Sequence, residues 1–390
     1  MIRNQIIIVG GYGTVGQRIC RRLLQSDIDM SYEIVIAGRN EAAAHACRAS
    51  MEGRVQSLQW DVMTSSEQWP DVSAARLIIM CLDLTETTLI AYCLEQGIDY
   101  IDITANGEFL QRLEQLKRDV LVPSSTVQHT PTILLSVGLA PGLTNLLAAE
   151  LCRRLDDTEQ LDISIMLGLG ERHGQAAIRW TVDQLAMKFT IMEKGKLVDV
   201  YSLTDGRLVS MQCDDHSERA TESRRKSSSK TRSRTHKHVY RFPFSDQQTL
   251  AHTLAVPSVS TRLGFDSVAL TRLLAMMQRL GIFRLMHLSF VKKAIIALFG
   301  SIHAGSDQYA IRIDASGVRR DEPAQLYCVL NGHSQSTATA EIAALSAERL
   351  LQHSSDAPHG ILHIEEWLGW DTVKADLKER LAFQMSGLDG

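Results

Sequence analysis

The chain has 390 residues, 45% apolar and 22% charged, with a formal net charge of −4. These proportions fit a soluble globular protein of two or three domains and exclude a fibrous or disordered one. The charge gives no overall pull toward nucleic acid, and the seven scattered cysteines, with no C-x-x-C, read as reduced thiols of a cytoplasmic protein.

The first element, Ile6 to Val9, is a short apolar run that reads as a buried strand. It leads into Gly10-Gly11-Tyr12-Gly13-Thr14-Val15-Gly16, a G-x-G-x-x-G turn on Gly11, Gly13 and Gly16, and then into an amphipathic helix. A helix N-terminus carries unpaired N–H groups and a partial positive charge, which suits a pyrophosphate. Placed between strand and helix, the turn points to dinucleotide binding. The chain begins almost inside this strand, so no leader peptide is expected.

Strand and helix then alternate. Strands are expected at Glu33–Ala37, Val55–Asp61, Leu77–Leu82, Tyr100–Ile103 and Thr132–Val137. Helices are expected at Glu41–Met51, Glu86–Gln96 and Glu108–Val120. Such alternation predicts a parallel, doubly wound sheet with helices on both faces. Gly138 to Asn145 is a turn, and Leu143–Leu155 a helix. Beyond it the pattern changes to an α+β domain with a mixed sheet. Leu161–Leu169 reads as a half-buried strand, Lys196–Tyr201 and Arg207–Met211 as a hairpin around Asp205-Gly206, and Tyr309–Asp314 and Gln325–Leu330 as further strands. Thr337–Gln352 reads as a helix that packs back on the first domain.

The expected organisation is a Rossmann domain over residues 1–145, an inserted α+β domain over 146–331, and a C-terminal helical segment over 332–390 returning to the Rossmann domain. A Ser-rich basic insertion at 215–238 interrupts the second domain. Its stretch from Glu218 to Lys237 carries eight Lys and Arg against Glu218 and Glu222, with almost no apolar residue, and reads as a mobile loop. It lacks the aromatic residues of a single-strand stacking platform, so no specific nucleic acid is expected. No apolar stretch reaches the ~20 residues of a membrane span. The closest, Ile282 to Phe299, is broken by Arg284, Lys292 and Lys293 and reads as helices packing on the body or on a second subunit, with membrane-surface contact as the alternative.

Cofactor choice is written at the end of the second strand, where an NAD site usually places an acid for the ribose 2′-hydroxyl. Here the residues are Gly38-Arg39-Asn40, and Arg39 can grip a 2′-phosphate or stack on adenine. NADP is therefore favoured over NAD. Candidate cofactor contacts are Gly11, Tyr12, Gly13, Thr14, Val15, Gly16, Arg39, Asn40, Asp61, Asp83, Thr104, Ala105 and Asn106, because ligands of doubly wound sheets lie beyond the strands' C-terminal ends. Asp102 lies within its strand and points either inward, as a structural group, or to the cleft. Candidate acid/base groups are Asp83, Glu108, His173 and Asp183. Arg172, Arg179 and Arg262 are candidates for a substrate carboxylate, and Asn145 lies on the cleft side. His359 and His363 are four apart, but Pro358 and Gly360 argue against the helix that would align them on a metal, so none is expected.

Several segments together resemble the saccharopine dehydrogenase (glutamate-forming) family. They are Gly10–Gly16, Ala37-Gly38-Arg39, Tyr100-Ile101-Asp102-Ile103-Thr104, Gly138-Leu139-Ala140-Pro141-Gly142 and Gly332-His333-Ser334-Gln335-Ser336-Thr337-Ala338. Arg241–Gln247 and Ser260–Asp266 are similar to uncharacterised members. The resemblance implies a Rossmann domain with an inserted domain that supplies substrate contacts and often a homodimer interface. It also implies NAD(P)-dependent chemistry on a C–N bond, an imine or secondary amine, next to a carboxylate of an amino-acid-derived substrate. Reduction of a ketone or enoyl group in an apolar substrate, and a non-catalytic nucleotide-binding sensor or partner protein, are the alternatives.

Overall fold

The computed structural model describes residues 3–119, 130–171, 175–212, 236–301, 305–352 and 357–387. The first part of the chain runs β1 (Gln5–Val9), α1 (Thr14–Leu23), β2 (Glu33–Gly38), α2 (Glu41–Ser50), β3 (Gln56–Gln59), β4 (Ala75–Met80), α3 (Thr88–Gln96), β5 (Asp99–Asp102), α4 (Gly107–Asp119), β6 (Thr132–Leu135) and α5 (Thr144–Arg153). The middle runs β7 (Asp157–Leu167), α6 (Gln175–Gln184), β8 (Lys188–Glu193), β9 (Lys196–Tyr201), β10 (Arg207–Ser210), β11 (His236–Arg241), α7 (Asp246–Thr253), β12 (Val259–Phe265), α8 (Val268–Arg279), α9 (Ser289–Ser301), β13 (Gln308–Arg319) and β14 (Glu322–His333). The chain closes with α10 (Gln335–Gln352), β15 (Gly360–His363), α11 (Ile364–Trp367), α12 (Trp370–Arg380) and β16 (Phe383–Ser386).

Two units result, Met1–Leu146 with Ser336–Arg380, and Leu147–Gln335 with Leu381–Gly390. In the first, seven parallel strands are ordered β15-β6-β5-β4-β1-β2-β3. The order reverses between β1 and β4, the place where ligands of doubly wound sheets lie. Ile6, Ile8 and Ile36 are buried on one face, and Ile7, Val9, Val35, Ile78 and Tyr100 on the other. Burial on both faces is why these strands are continuous apolar runs. α2 starts where Asn40 Oδ1 accepts the Ala43 N–H at 3.0 Å. α3 stops at Gly97, whose left-handed φ of 67° turns its N–H back to the Cys93 carbonyl.

α10 packs on α1, as expected of the returning helix. Arg22 Nε reaches Glu341 at 3.1 Å, and Arg380 of α12 reaches Glu348 at 2.6 Å. Burial raises the Glu341 carboxyl above its usual value although Arg22 and Arg380 act against it. The segment 332–390 is not wholly helical, however. β15 extends the parallel sheet beside β6, and β16 pairs antiparallel with β14 in the second unit.

The second unit is a mixed sheet ordered β10-β11-β12-β7-β13-β14-β16, with β8 joining β12 and β9 joining β8. Only β7 and β12 run parallel in it, among the pairings of described residues. The expected hairpin around Asp205-Gly206 does not form. Lys196–Tyr201 pairs instead with β8, across Lys194-Gly195, and Arg207–Ser210 pairs with β11. Lys194 and Gly195 have φ of 51° and 72°, the two left-handed residues that a tight hairpin turn requires. Of the basic insertion expected at 215–238, residues 215–235 lie outside the described residues, and 236–238 are not loop but the start of strand β11.

Candidate cofactor site and second-domain cavity

The glycine turn follows β1 at the point where strand order reverses. The Gly11 amide donates to the Ile8 carbonyl at 3.1 Å and the Gly13 amide to the Gly10 carbonyl at 2.8 Å, which closes the loop on itself. Gly13 is the N-cap of α1 and brings no side chain to it, so the first amides of the helix, from Thr14, Val15 and Gly16, are left uncapped. A Cβ on Gly16 would lie 2.6 Å from both the Gly10 carbonyl oxygen and Gly11 Cα. Only glycine lets the helix start against the turn so closely. The residues present therefore fit a pyrophosphate at α1.

Tyr12 connects this cradle to the end of β2. Its ring covers Gly38, where a Cβ would lie 2.4 Å from Tyr12 Cε1, and its hydroxyl accepts the Asn40 N–H at 3.3 Å. Arg39 is exposed between them, and its guanidinium makes no ion pair or hydrogen bond among the described residues. Asn40 is occupied as the cap of α2. Asp61, two residues past β3, accepts the Met63 amide at 3.1 Å in a turn of its own.

Beyond β4 and β5 the structure brings three expected residues together. The Thr104 hydroxyl donates to Asp83 Oδ1 at 2.7 Å and accepts the Asn106 amide at 3.2 Å. Asn106 Oδ1 takes the Glu108 and Phe109 amides and so caps α4. Ala105 is half-buried in that loop and Glu108 is exposed. Asp102 points inward. It is fully buried, accepts the Tyr100 hydroxyl and the Thr104 amide, each at 2.6 Å, and burial pushes its carboxyl up to about 7 despite both bonds. Asn145 is also buried, and its Oδ1 accepts the Gly142 amide at 3.0 Å, so it holds the Gly138–Gly142 turn from within.

One cluster was not anticipated. Ser136, at the end of β6, meets His363 Nδ1 at 2.7 Å, and His363 Nε2 meets Glu114 Oε1 of α4 at 2.9 Å. His363 is extended in β15, as the reading against a helix there requires. Ser136 and His363 are sealed from solvent, so the chain of bonds clasps two neighbouring strands to a helix instead of presenting a nucleophile. No spacing in the sequence relates residues 114, 136 and 363.

In the second unit the expected residues that are described, Arg179, Asp183 and Arg262, have separate surroundings. Arg172 and His173 lie outside the described residues. Arg179 is exposed, and Asp183 is paired with Lys292 at 2.6 Å. Arg262 is 0% exposed, and its two terminal nitrogens hold Asp162 at 2.6 Å and Asp205 at 2.5 Å. Partial burial opposes ionisation of Asp205, but Arg262, with Arg241 and Arg207, holds its carboxyl below the usual range.

The same unit contains a cavity of about 670 Å³ whose lining includes Lys237, Asp266, Tyr309, Asn331, His333 and Gln384. The Tyr309 hydroxyl, Asp266 Oδ1 and Asn331 Oδ1 are buried there with no hydrogen-bond partner among the described residues. Burial, with the charge of Glu171, raises the Tyr309 phenol above its usual value, so it stays a hydrogen-bond donor. Lys237 Nζ donates to the Asp266 carbonyl at 3.0 Å. A cation set among polar side chains in one lining suits a polar ligand.

Residues 6–122 match the family model described as the saccharopine dehydrogenase NADP binding domain. No curated protein sequence matches the chain. Among solved structures, apo saccharopine dehydrogenase (L-Glu forming) from Saccharomyces cerevisiae aligns with a TM-score of 0.61 at 13% identity, covering 98% of this chain and 100% of that one. The homospermidine synthase of Legionella pneumophila, solved in complex with NAD, gives a TM-score of 0.58 at 12% identity, covering 100% of this chain and 92% of that one. At these identities the structural likeness shows the fold.

Proposed function

Taking as premise that this is a saccharopine dehydrogenase-like chain with a nicotinamide-nucleotide-binding domain, we propose that it is an NADP(H)-dependent oxidoreductase acting on a C–N bond of a carboxylate-bearing, amino-acid-derived substrate. The observation that carries the cofactor choice is Arg39, exposed at the end of β2 with a free guanidinium where an NAD site would set an acid. A 2′-phosphate would meet a planar cation there, and Tyr12 over Gly38 gives the adenine end a rigid floor. The uncapped amides of α1 would hold the pyrophosphate, and Asp83, Thr104 and Asn106 would line the nicotinamide end.

Bound nicotinamide supplies or accepts the hydride. Asp83 is the group assigned to exchange a proton with the substrate nitrogen, because it is exposed and its orientation is fixed by the Thr104 hydroxyl. Within the second unit, Lys237 of the cavity is the cation left for a carboxylate, because the guanidinium of Arg262 is already neutralised by two aspartates. A cation in a lining of mixed polarity suits a carboxylate-bearing ligand better than an uncharged ketone or enoyl compound.

The test is a cofactor titration followed by a screen of amine and keto-acid pairs for NADPH consumption. The proposal expects consumption with at least one such pair and its loss in Asp83→Ala. Turnover only with apolar ketones or enoyl compounds would contradict it.

A further inference from the structure

Helices α8 and α9 and the turn between them, Ile282–His287, carry apolar residues on their outer side. Leu273 and Met276 on α8 and Leu280 just past its end follow one another at helical spacing, and Leu280 is 68% exposed. Leu285 and Leu288 continue the row, and Phe290 at the start of α9 is 69% exposed. The inner side is already used. Leu274, Ala275 and Phe283 are buried, and Lys292 is paired with Asp183 of α6. Exposed large apolar residues grouped in this way mark an interaction surface.

Its charge narrows the partner. Arg272, Arg279, Arg284 and Lys293 are exposed along the same stretch, and no Asp or Glu occurs from Ser267 to Ser301. In a two-fold dimer through this face the patch would meet itself and set cations against cations with no acid to offset them. A nucleic acid would satisfy the cations and leave the Leu and Phe side chains in water. An anionic lipid surface satisfies both, taking apolar side chains at the acyl boundary and cations at the headgroups. No helix among the described residues is long and apolar enough to cross a membrane.

We propose that the α8–α9 face docks this protein onto an anionic phospholipid bilayer, with Leu280, Leu285 and Phe290 entering the interface and Arg279, Arg284 and Lys293 meeting headgroup phosphates. The orientation is parallel to the surface, because the opposite side of both helices packs on the second unit. A docked enzyme would work beside the membrane without spanning it.

Co-sedimentation of the full-length protein with vesicles tests this. At ~0.1 M salt it should bind vesicles of phosphatidylcholine with about one-third phosphatidylglycerol and not phosphatidylcholine alone. Leu280→Ser with Phe290→Ser leaves the net charge unchanged and should weaken partition about a hundredfold. Arg279→Glu with Arg284→Glu should weaken it at least about tenfold. All four positions are exposed, and a thermal melt of each variant checks that the fold is kept. No binding by the wild type, or binding that survives either pair of substitutions, would overturn the proposal. So would a dimer, by light scattering, that the Leu280→Ser/Phe290→Ser variant dissociates, since a second copy would then own the face.

Discussion

Thr104 donates its hydroxyl to Asp83 at 2.7 Å, and so fixes a carboxylate at the end of β4 from a residue just past β5. The same threonine's amide is bound to Asp102 at 2.6 Å. One residue therefore ties an exposed acid and a buried acid to the end of the parallel sheet where the strand order reverses nearby. Thr104→Val keeps the shape and the amide bond but removes the hydroxyl. Urea denaturation should show a loss of about 1 kcal/mol, and turnover should fall because Asp83 is no longer held. Unchanged stability and turnover would mean that the bridge is incidental.

Asp102 gives the fold a pH signature. Its carboxyl titrates at about 7 in the folded chain, above the ordinary 3.8, because burial disfavours its charge. Between those values the folded chain keeps a proton that the unfolded chain gives up. The stability tied to that proton is complete below the unfolded value and is lost as pH rises through the folded one, at no more than about 1.4 kcal/mol per pH unit. Asp102→Asn should flatten this slope, so that the variant gains on the wild type between about pH 4 and about pH 7 in urea melts. An identical slope in both proteins would count against the raised value.

The clasp of Ser136, His363 and Glu114 is structural in this account. His363→Ala should leave the Ser136 hydroxyl buried without a partner and cost about 2–3 kcal/mol in a thermal or urea melt. Because Ser136 is sealed, a fluorophosphonate probe should not label it in the folded protein. Labelling at Ser136 would make the cluster a catalytic one.

Arg262 and Lys237 should separate cleanly. Arg262→Met removes the buried cation between Asp162 and Asp205, which keep Arg207 and Arg241, and should cost roughly 1–3 kcal/mol, read in a melt. Lys237→Ala should leave the melt nearly unchanged and raise KM for a carboxylate substrate more than it lowers kcat. A stable Arg262→Met variant with a raised KM would return the carboxylate role to Arg262.

The first unit was largely legible because its strands are buried on both faces and therefore read as uninterrupted apolar runs, such as Ile6–Val9 and Leu77–Met80. The glycine turn was legible because its spacing carries its own steric reason, seen in Gly16 against Gly10. The second unit was harder. Asp205-Gly206 looked like the stronger hairpin signal, yet Lys194-Gly195 makes the turn, because the pairing partner of Lys196–Tyr201 lies before it in the chain. Arg262 looked available because a sequence does not show that Asp162 and Asp205 converge on it. The cavity groups Lys237, Asp266, Tyr309 and Asn331 come from four separate segments of the second unit and share no spacing.

The most direct measurement is the relative affinity for NADPH and NADH, by fluorescence titration, in the wild type and in Arg39→Asp. The wild type should bind NADPH more tightly, and the variant should reverse toward NADH, since an acid would repel the 2′-phosphate and accept a hydrogen bond from the 2′-hydroxyl. Tighter NADH binding by the wild type, or an NADPH preference that survives Arg39→Asp, would contradict it.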